Sequence, residues 1–253
     1  MSKIKERLGI EKINRQGCLM KIIKCQGSKD IIVEFQDKYK FQVHTNWDSF
    51  NNGFTKNPYA PSVCNVGCIG AKYKVTKNGD NTKEYSLWKD MLDRCFNKRT
   101  PTYKDVTCCE EWLLFENFYE WLHKQENFQK LFNSEFRWNL DKDILVKGNK
   151  IYSWDTCCLV PQEVNSLFVK SNKIRGNLPI GVTRNGNGFS ANFYKHNHRV
   201  YLGTYDTPEE AFQAYKAEKE SYIKQIAQEE YAKGNITQQC FEAMINYKVE
   251  VTD

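Results

Sequence analysis

An α+β chain is what this sequence predicts, on three observations. Short β-branched and aromatic runs separated by turn residues fill the first 75 or so positions and recur after position 177. Between them, apolar residues repeat at three- and four-residue spacing, the period of a helix face. Near the end, three strand-like runs lead into one long amphipathic segment opened by a capping sequence.

The first module, residues 1–76, opens with MKIIKC (20–25) and DIIVEFQ (30–36). The turn residues Gly27-Ser28-Lys29-Asp30 between them predict a hairpin. KYKFQVHT (38–45) alternates and extends it into a meander, which gives a small barrel-like sheet. His44 falls in this strand, and a lone histidine there has a structural role. Lys77-Asn78-Gly79-Asp80-Asn81 is a polar break and a module boundary.

The second module, residues 82–170, changes period. Leu87, Trp88, Met91, Leu92 and Cys95 mark one helix. Thr107-Cys108-Cys109-Glu110 has the form of a capping box for another, carried by Trp112, Phe115, Phe118, Trp121 and Leu122. WNLDKDILVKGNKIYSWDTCCLVP then reads as two extended segments around Lys147-Gly148-Asn149-Lys150, with a helix beginning at Pro161. The third module, residues 177–250, follows the polar linker 171–180. It predicts a three-stranded antiparallel sheet from PIGVTRN, GFSANFYKH and HRVYLGTY, then a helix from Thr207-Pro208-Glu209-Glu210 with Phe212, Tyr215, Tyr222, Ile223 and Ile226 on one face.

Composition narrows the function. The 253 residues include 6 Trp, 14 Tyr and 15 Phe, enough large side chains to build cores and to exclude a wholly disordered chain. Gly 14 and Pro 6 exclude a collagen-like protein. The mean hydropathy is −0.69, and no apolar run approaches the ~20 residues of a membrane helix. The charged start MSKIKERLGIEKINRQG has no apolar core of a secretory signal, so the expected compartment is the cytosol. There the ten cysteines are expected to be reduced thiols, and their spacing lacks the paired Cys-x2-Cys pattern of zinc. The balance of 37 Lys and Arg against 31 Asp and Glu gives +6, which argues little by itself.

Local charge says more. From Ser171 to Gly203 stand Lys173, Arg175, Arg184, Lys195 and Arg199, and no Asp or Glu, with Phe189, Tyr194 and Tyr201 interleaved. On strands, Arg184, Asn192, Tyr194 and Arg199 would share a basic, hydrogen-bonding surface able to enter a major groove. The bland alternative is a small solvated sheet. His196-x-His198 sits at a hairpin tip, where surface or phosphate contact is expected.

GVTRNGNGFSANFYKHNHRVYLGTYDTPEEAFQAYKAEKE resembles the Apetala/ethylene-response-factor DNA-binding domain. Gly181-Val182, Phe189, and Leu202-Gly203-Thr204-Tyr205-Asp206-Thr207-Pro208-Glu209-Glu210-Ala211 through Ala214-Tyr215 carry the likeness, over roughly forty residues. The resemblance implies a sheet docked in the major groove of double-stranded DNA through Arg184, Asn185, Phe189, Asn192, Tyr194, Lys195, Arg199 and Tyr201. Thr183 stands where the plant pattern has arginine and Phe189 where it has tryptophan, so plant base specificity does not transfer.

The pieces YSLWKDMLDRCFN, YKDVTCCEEWLLFENFYEW and LDKDILVKGNKIYSWDTCCLVPQEVNSLF resemble phage and bacterial HNH-type homing or free-standing endonucleases. That resemblance implies a central ββα unit holding Mg2+ or another divalent ion, and no organic cofactor. In it Asp141 falls at a metal ligand, Lys142 at or beside the general base, and Asn149 at the middle asparagine. Asn165 is the helix ligand and Asp143 a second carboxylate. The departure is the base itself, since no His lies between 124 and 195 and lysine is a poor base at neutral pH; His123 precedes the hairpin on a separate helix. Three readings stand: a metal-dependent DNA endonuclease, a non-catalytic DNA-binding regulator on a degenerate HNH unit, and a phage inhibitor of a host nucleic-acid-targeting defence nuclease, with a protein partner in the host or phage.

Overall fold

A computed structural model gives the architecture, an α+β chain described here over residues 6–98, 101–133, 137–169, 178–195, 198–251 and 253. Contacts divide it into two compact units: Met1–Lys104 with Cys108–Glu120, and Asp105–Thr107 with Trp121–Asp253. The division falls within the expected 82–170 module.

In the first unit β1 (Glu11–Ile13), β2 (Leu19–Gly27), β3 (Asp30–Phe35) and β4 (Gln42–Thr45) form an antiparallel sheet in sequence order. The expected hairpin is the β2–β3 pair, closed by Gly27↔Asp30. The sheet is an open meander rather than a barrel, because β1 and β4 each pair with one neighbour. Alternate residues Ile31, Val33 and Phe35 are buried with Met20, Ile22 and Phe50, the last from α1 (Trp47–Asn51). His44 Nε2 lies 2.8 Å from Asp30 Oδ1 on the surface, a cross-strand pair. At the expected break, β5 (Thr76–Lys77) and β6 (Asp80–Asn81) make a small hairpin over Asn78 and Gly79, both at positive φ.

Helix α2 (Lys83–Leu92) is capped by Thr82 and buries Trp88, Met91 and Leu92; a π-turn over Asp93–Asn97 carries Cys95 inward as well. The capping box expected at Thr107 does not form. Thr107 is in β7 (Thr107–Cys108), its amide donating to Lys150 O, and Cys109 heads a short 3-10 turn with no side-chain cap. Helix α3 (Phe115–His123) starts later, with Phe115, Phe118 and Leu122 buried.

In the second unit, after α4 (Lys130–Asn133), β8 (Trp138–Asp141) pairs antiparallel with β10 (Cys158–Pro161), not with the nearer β9 (Ile151–Tyr152), and α5 (Gln162–Leu167) follows directly. The third module forms as the pattern predicts. Strands β11 (Val182–Asn185), β12 (Gly188–Lys195) and β13 (His198–Tyr205) lie in that order, antiparallel, ahead of the 25-residue α6 (Pro208–Ala232) and α7 (Gln238–Ile245). Thr207 and Glu210 complete the predicted capping box. Phe212, Tyr215, Tyr222, Ile223 and Ile226 are all buried, packing with Val182, Ala191 and Phe193 of the sheet. Burying one such side chain stabilises by roughly 1.5–3 kcal/mol. Gly181 is required where β11 meets α6: its φ is +76°, and a Cβ there would lie 2.0 Å from the Tyr215 ring. The ten cysteines are free thiols.

Candidate nucleic-acid interface

Helix α6 covers one face of the β11–β13 sheet, so alternation along the strands decides what the other face shows. Thr183 pairs with Ser190 and Ser190 with Thr204, while Asn192 pairs with Tyr201 and Tyr194 with Arg199. A bulge interrupts the β12–β13 register after Ala191. The extra residue is Leu202 on β13, beside Gly203, whose φ of +131° is open to glycine and strained for other residues. The bulge turns Thr204 to the same face as Tyr201, three residues away, and sends Tyr205 back against the helix core.

The outer face is a hydrogen-bonded polar array across all three strands. Asn185 Nδ2 donates to Ser190 Oγ at 2.9 Å and Thr204 Oγ1 at 3.3 Å. Thr204 Oγ1 lies 3.0 Å from Ser190 Oγ and 2.7 Å from the Tyr201 hydroxyl. Asn192 Nδ2 donates to Thr183 Oγ1 at 3.2 Å, and Arg199 Nε to Asn192 Oδ1 at 3.0 Å. Tyr194 and Tyr201 stand 63% and 60% exposed on this face. The array lines an open cleft of about 460 Å3 bordered also by Arg184. Residues 178–205 contain no Asp or Glu.

Of the eight residues expected to face DNA, the fold gathers five here: Asn185, Asn192, Tyr194, Arg199 and Tyr201. The others belong to the opposite face. Arg184 pairs with Phe189 and lays its guanidinium 5.2 Å from that ring, at the cleft rim, while Phe189 packs on the helix core. Lys195 turns to α6, donating to Gln225 Oε1 at 3.1 Å and lying 5.1 Å from the Tyr222 ring. Lys173, Arg175 and His196 lie outside the described residues; His198 is exposed and pairs with Lys195. Sequence reasoning missed Thr183, Ser190 and Thr204 as members of the face. Alternation from Asn192 would have found Ser190, but no periodic rule finds Thr204 without the bulge.

The central hairpin uses its polar groups differently. Asp141 is 9% exposed, and its Oδ1 accepts the amides of Asp143 and Ile144, each at 2.8 Å. Burial, with the nearby Asp143 charge, pushes its carboxyl up to about 6. Lys142 Nζ lies 3.2 Å from Asp143 Oδ2. Asn149 straps the loop: Nδ2 donates to Lys142 O and Ile151 O at 2.7 Å each, and Oδ1 accepts the Ile151 amide. Asn165 sits half-buried on α5. Asp141 engaged by two amides, Asp143 by an ammonium and Asn149 by the backbone at both ends together hold this turn in place. Among the described residues no group of three or more His, Cys, Asp or Glu is placed to hold a metal.

No family model, no curated protein and no solved structure matches the chain.

Proposed function

We propose that this chain is a double-stranded DNA-binding protein that sets the outer face of β11–β13 against the major groove. The observation that carries this is the polar face of strands that themselves hold no Asp or Glu, with Arg199, Tyr194 and Tyr201 projecting from a helix-backed sheet. Three strands spaced ~4.8 Å apart span about 10 Å between outer strands, comparable to the ~12 Å width of the groove. Side chains on such a face reach base edges, and its hydroxyl and amide groups meet phosphates. The resemblance of residues 181–215 to the Apetala-type domain points the same way, and the resemblance of the central pieces to phage HNH-type proteins suggests a phage-type setting.

The central unit acts in this reading as a scaffold without a catalytic step. Its Asp141, Lys142, Asp143 and Asn149 hold a loop together. Retention of a randomised duplex library, with and without Mg2+ or Mn2+, tests both parts. Retention without strand breaks is the expected result. Breaks that vanish in Asp141→Ala would instead establish a metal-dependent nuclease. No retention at low salt overturns the DNA reading and turns the search to a protein partner. Of the cations in residues 178–205, Arg199 lies on this face and Arg184 at its rim, so the face contributes a slope of log affinity on log salt no steeper than about −2.

A further inference from the structure

We propose that Asn192 is a positioning residue: it fixes the Arg199 guanidinium from behind and so sets sequence discrimination, without itself touching DNA. This rests on the DNA-binding reading above and deepens it.

A guanidinium carries five N–H donors in one planar fork. Here Nε is held by Asn192 Oδ1 at 3.0 Å, which leaves the Nη edge for a ligand. The acceptor is itself held. Asn192 is 7% exposed, and its Nδ2 donates to Thr183 Oγ1 at 3.2 Å and to Ser190 O at 3.4 Å. Those bonds set which end of the amide faces the arginine. Thr183, Asn192 and Arg199 thus form a relay with one member on each strand, ending on the exposed face beside Tyr194. Phosphate oxygens accept a swinging arginine as readily as a fixed one. Telling one base pair from another needs the fork held in place, because two donors must meet two acceptors at once. An arginine already tied at Nε also loses less rotamer freedom on binding. Asn192 is too buried to compete for the same base edge.

The test compares a duplex enriched from a randomised library with an unrelated duplex of equal length, in direct competition. Asn192→Ala is expected to lower the preference about tenfold, and Arg199→Ala to lower it as much. The double variant is expected to be no worse than Arg199→Ala, the signature of one residue acting through the other. Asn192→Asp keeps an acceptor for Nε and is expected to keep the preference while weakening both duplexes together. It also serves if the alanine variant fails to fold. A preference unchanged in Asn192→Ala overturns the inference. So does a double variant worse than Arg199→Ala, or an Asn192→Asp as poor as Asn192→Ala, since either means that the Asn192 amide reads a base directly. Wild-type protein that retains duplexes with no preference overturns this inference and leaves the DNA reading standing. Wild-type protein that retains none overturns both.

Discussion

In the turn after β8, Asp141 gives one oxygen to two backbone amides, and Asn149 gives both ends of its amide to the chain on either side of it. On the open face of β11–β13, Asn185, Asn192 and Arg199 bond to side chains on neighbouring strands, and Tyr201 to Thr204 on its own. Both regions are polar, and both were expected to carry function. Side chains spent on buried amides fix the path of the backbone, and withdrawing them leaves those amides unsatisfied. Side chains bonded to one another at a surface can trade partners with a ligand or with water at little cost. In the proposed reading, the hairpin is a lock and the sheet a reading surface.

The largest expected effect lies beneath the reading surface. Gly181→Ala forces a Cβ into the Tyr215 ring at a positive φ, so we predict a loss of about 3–5 kcal/mol, or failure to fold. Denaturant unfolding checks it, and a midpoint near wild type would mean that α6 is not tightly seated on the sheet. Asp141→Ala comes next. It strips two amides of their acceptor and is expected to cost roughly 2–4 kcal/mol by the same measurement. Cleavage activity lost without that destabilisation would reverse the contrast between lock and reading surface.

Arg199→Ala probes the other side of the comparison. Its stability is expected to fall by no more than about 1 kcal/mol, because the Asn192 Oδ1 loses one partner, while affinity for an enriched duplex falls roughly 10- to 100-fold by titration. The pH dependence of the lock sharpens it further. Because burial raises the Asp141 carboxyl from 3.8 to about 6, the folded chain holds that proton more tightly than the unfolded chain. Its contribution is full below 3.8 and is lost as pH rises through about 6. Asp141→Asn keeps the Oδ1 acceptor and has no proton to lose. Its stability is therefore expected to be flatter than wild type between pH 4 and 6, and equal or higher at pH 7 in unfolding series across pH. The smallest effect is Tyr201→Phe, which removes the 2.7 Å contact with Thr204 at an exposed site and should shift stability by no more than about 0.5 kcal/mol.

Much of the fold was legible. The β2–β3 hairpin followed from its turn residues, the three C-terminal strands from their runs and turns, and α6 from its cap and its apolar period. The capping pattern at Thr107 misled because a local motif yields when its first residue is drawn into a strand, as Thr107 is by Lys150. The pairing of β8 with β10 was not legible either, since two extended segments on either side of a turn look the same whichever later strand becomes the partner.

By itself the sequence determined the strand and helix periods, the acid-free stretch before α6 and the polar and aromatic residues it carries. These are local properties of composition and spacing. The tertiary structure decided which of those residues share a face. A single bulge at Leu202 and Gly203 changes the parity of β13, bringing Thr204 to Tyr201 and returning Tyr205 to the core, while α6 claims Lys195. Alternation is a rule about neighbours, and one extra residue resets it; where that reset falls depends on the pairing of strands, which no single segment encodes.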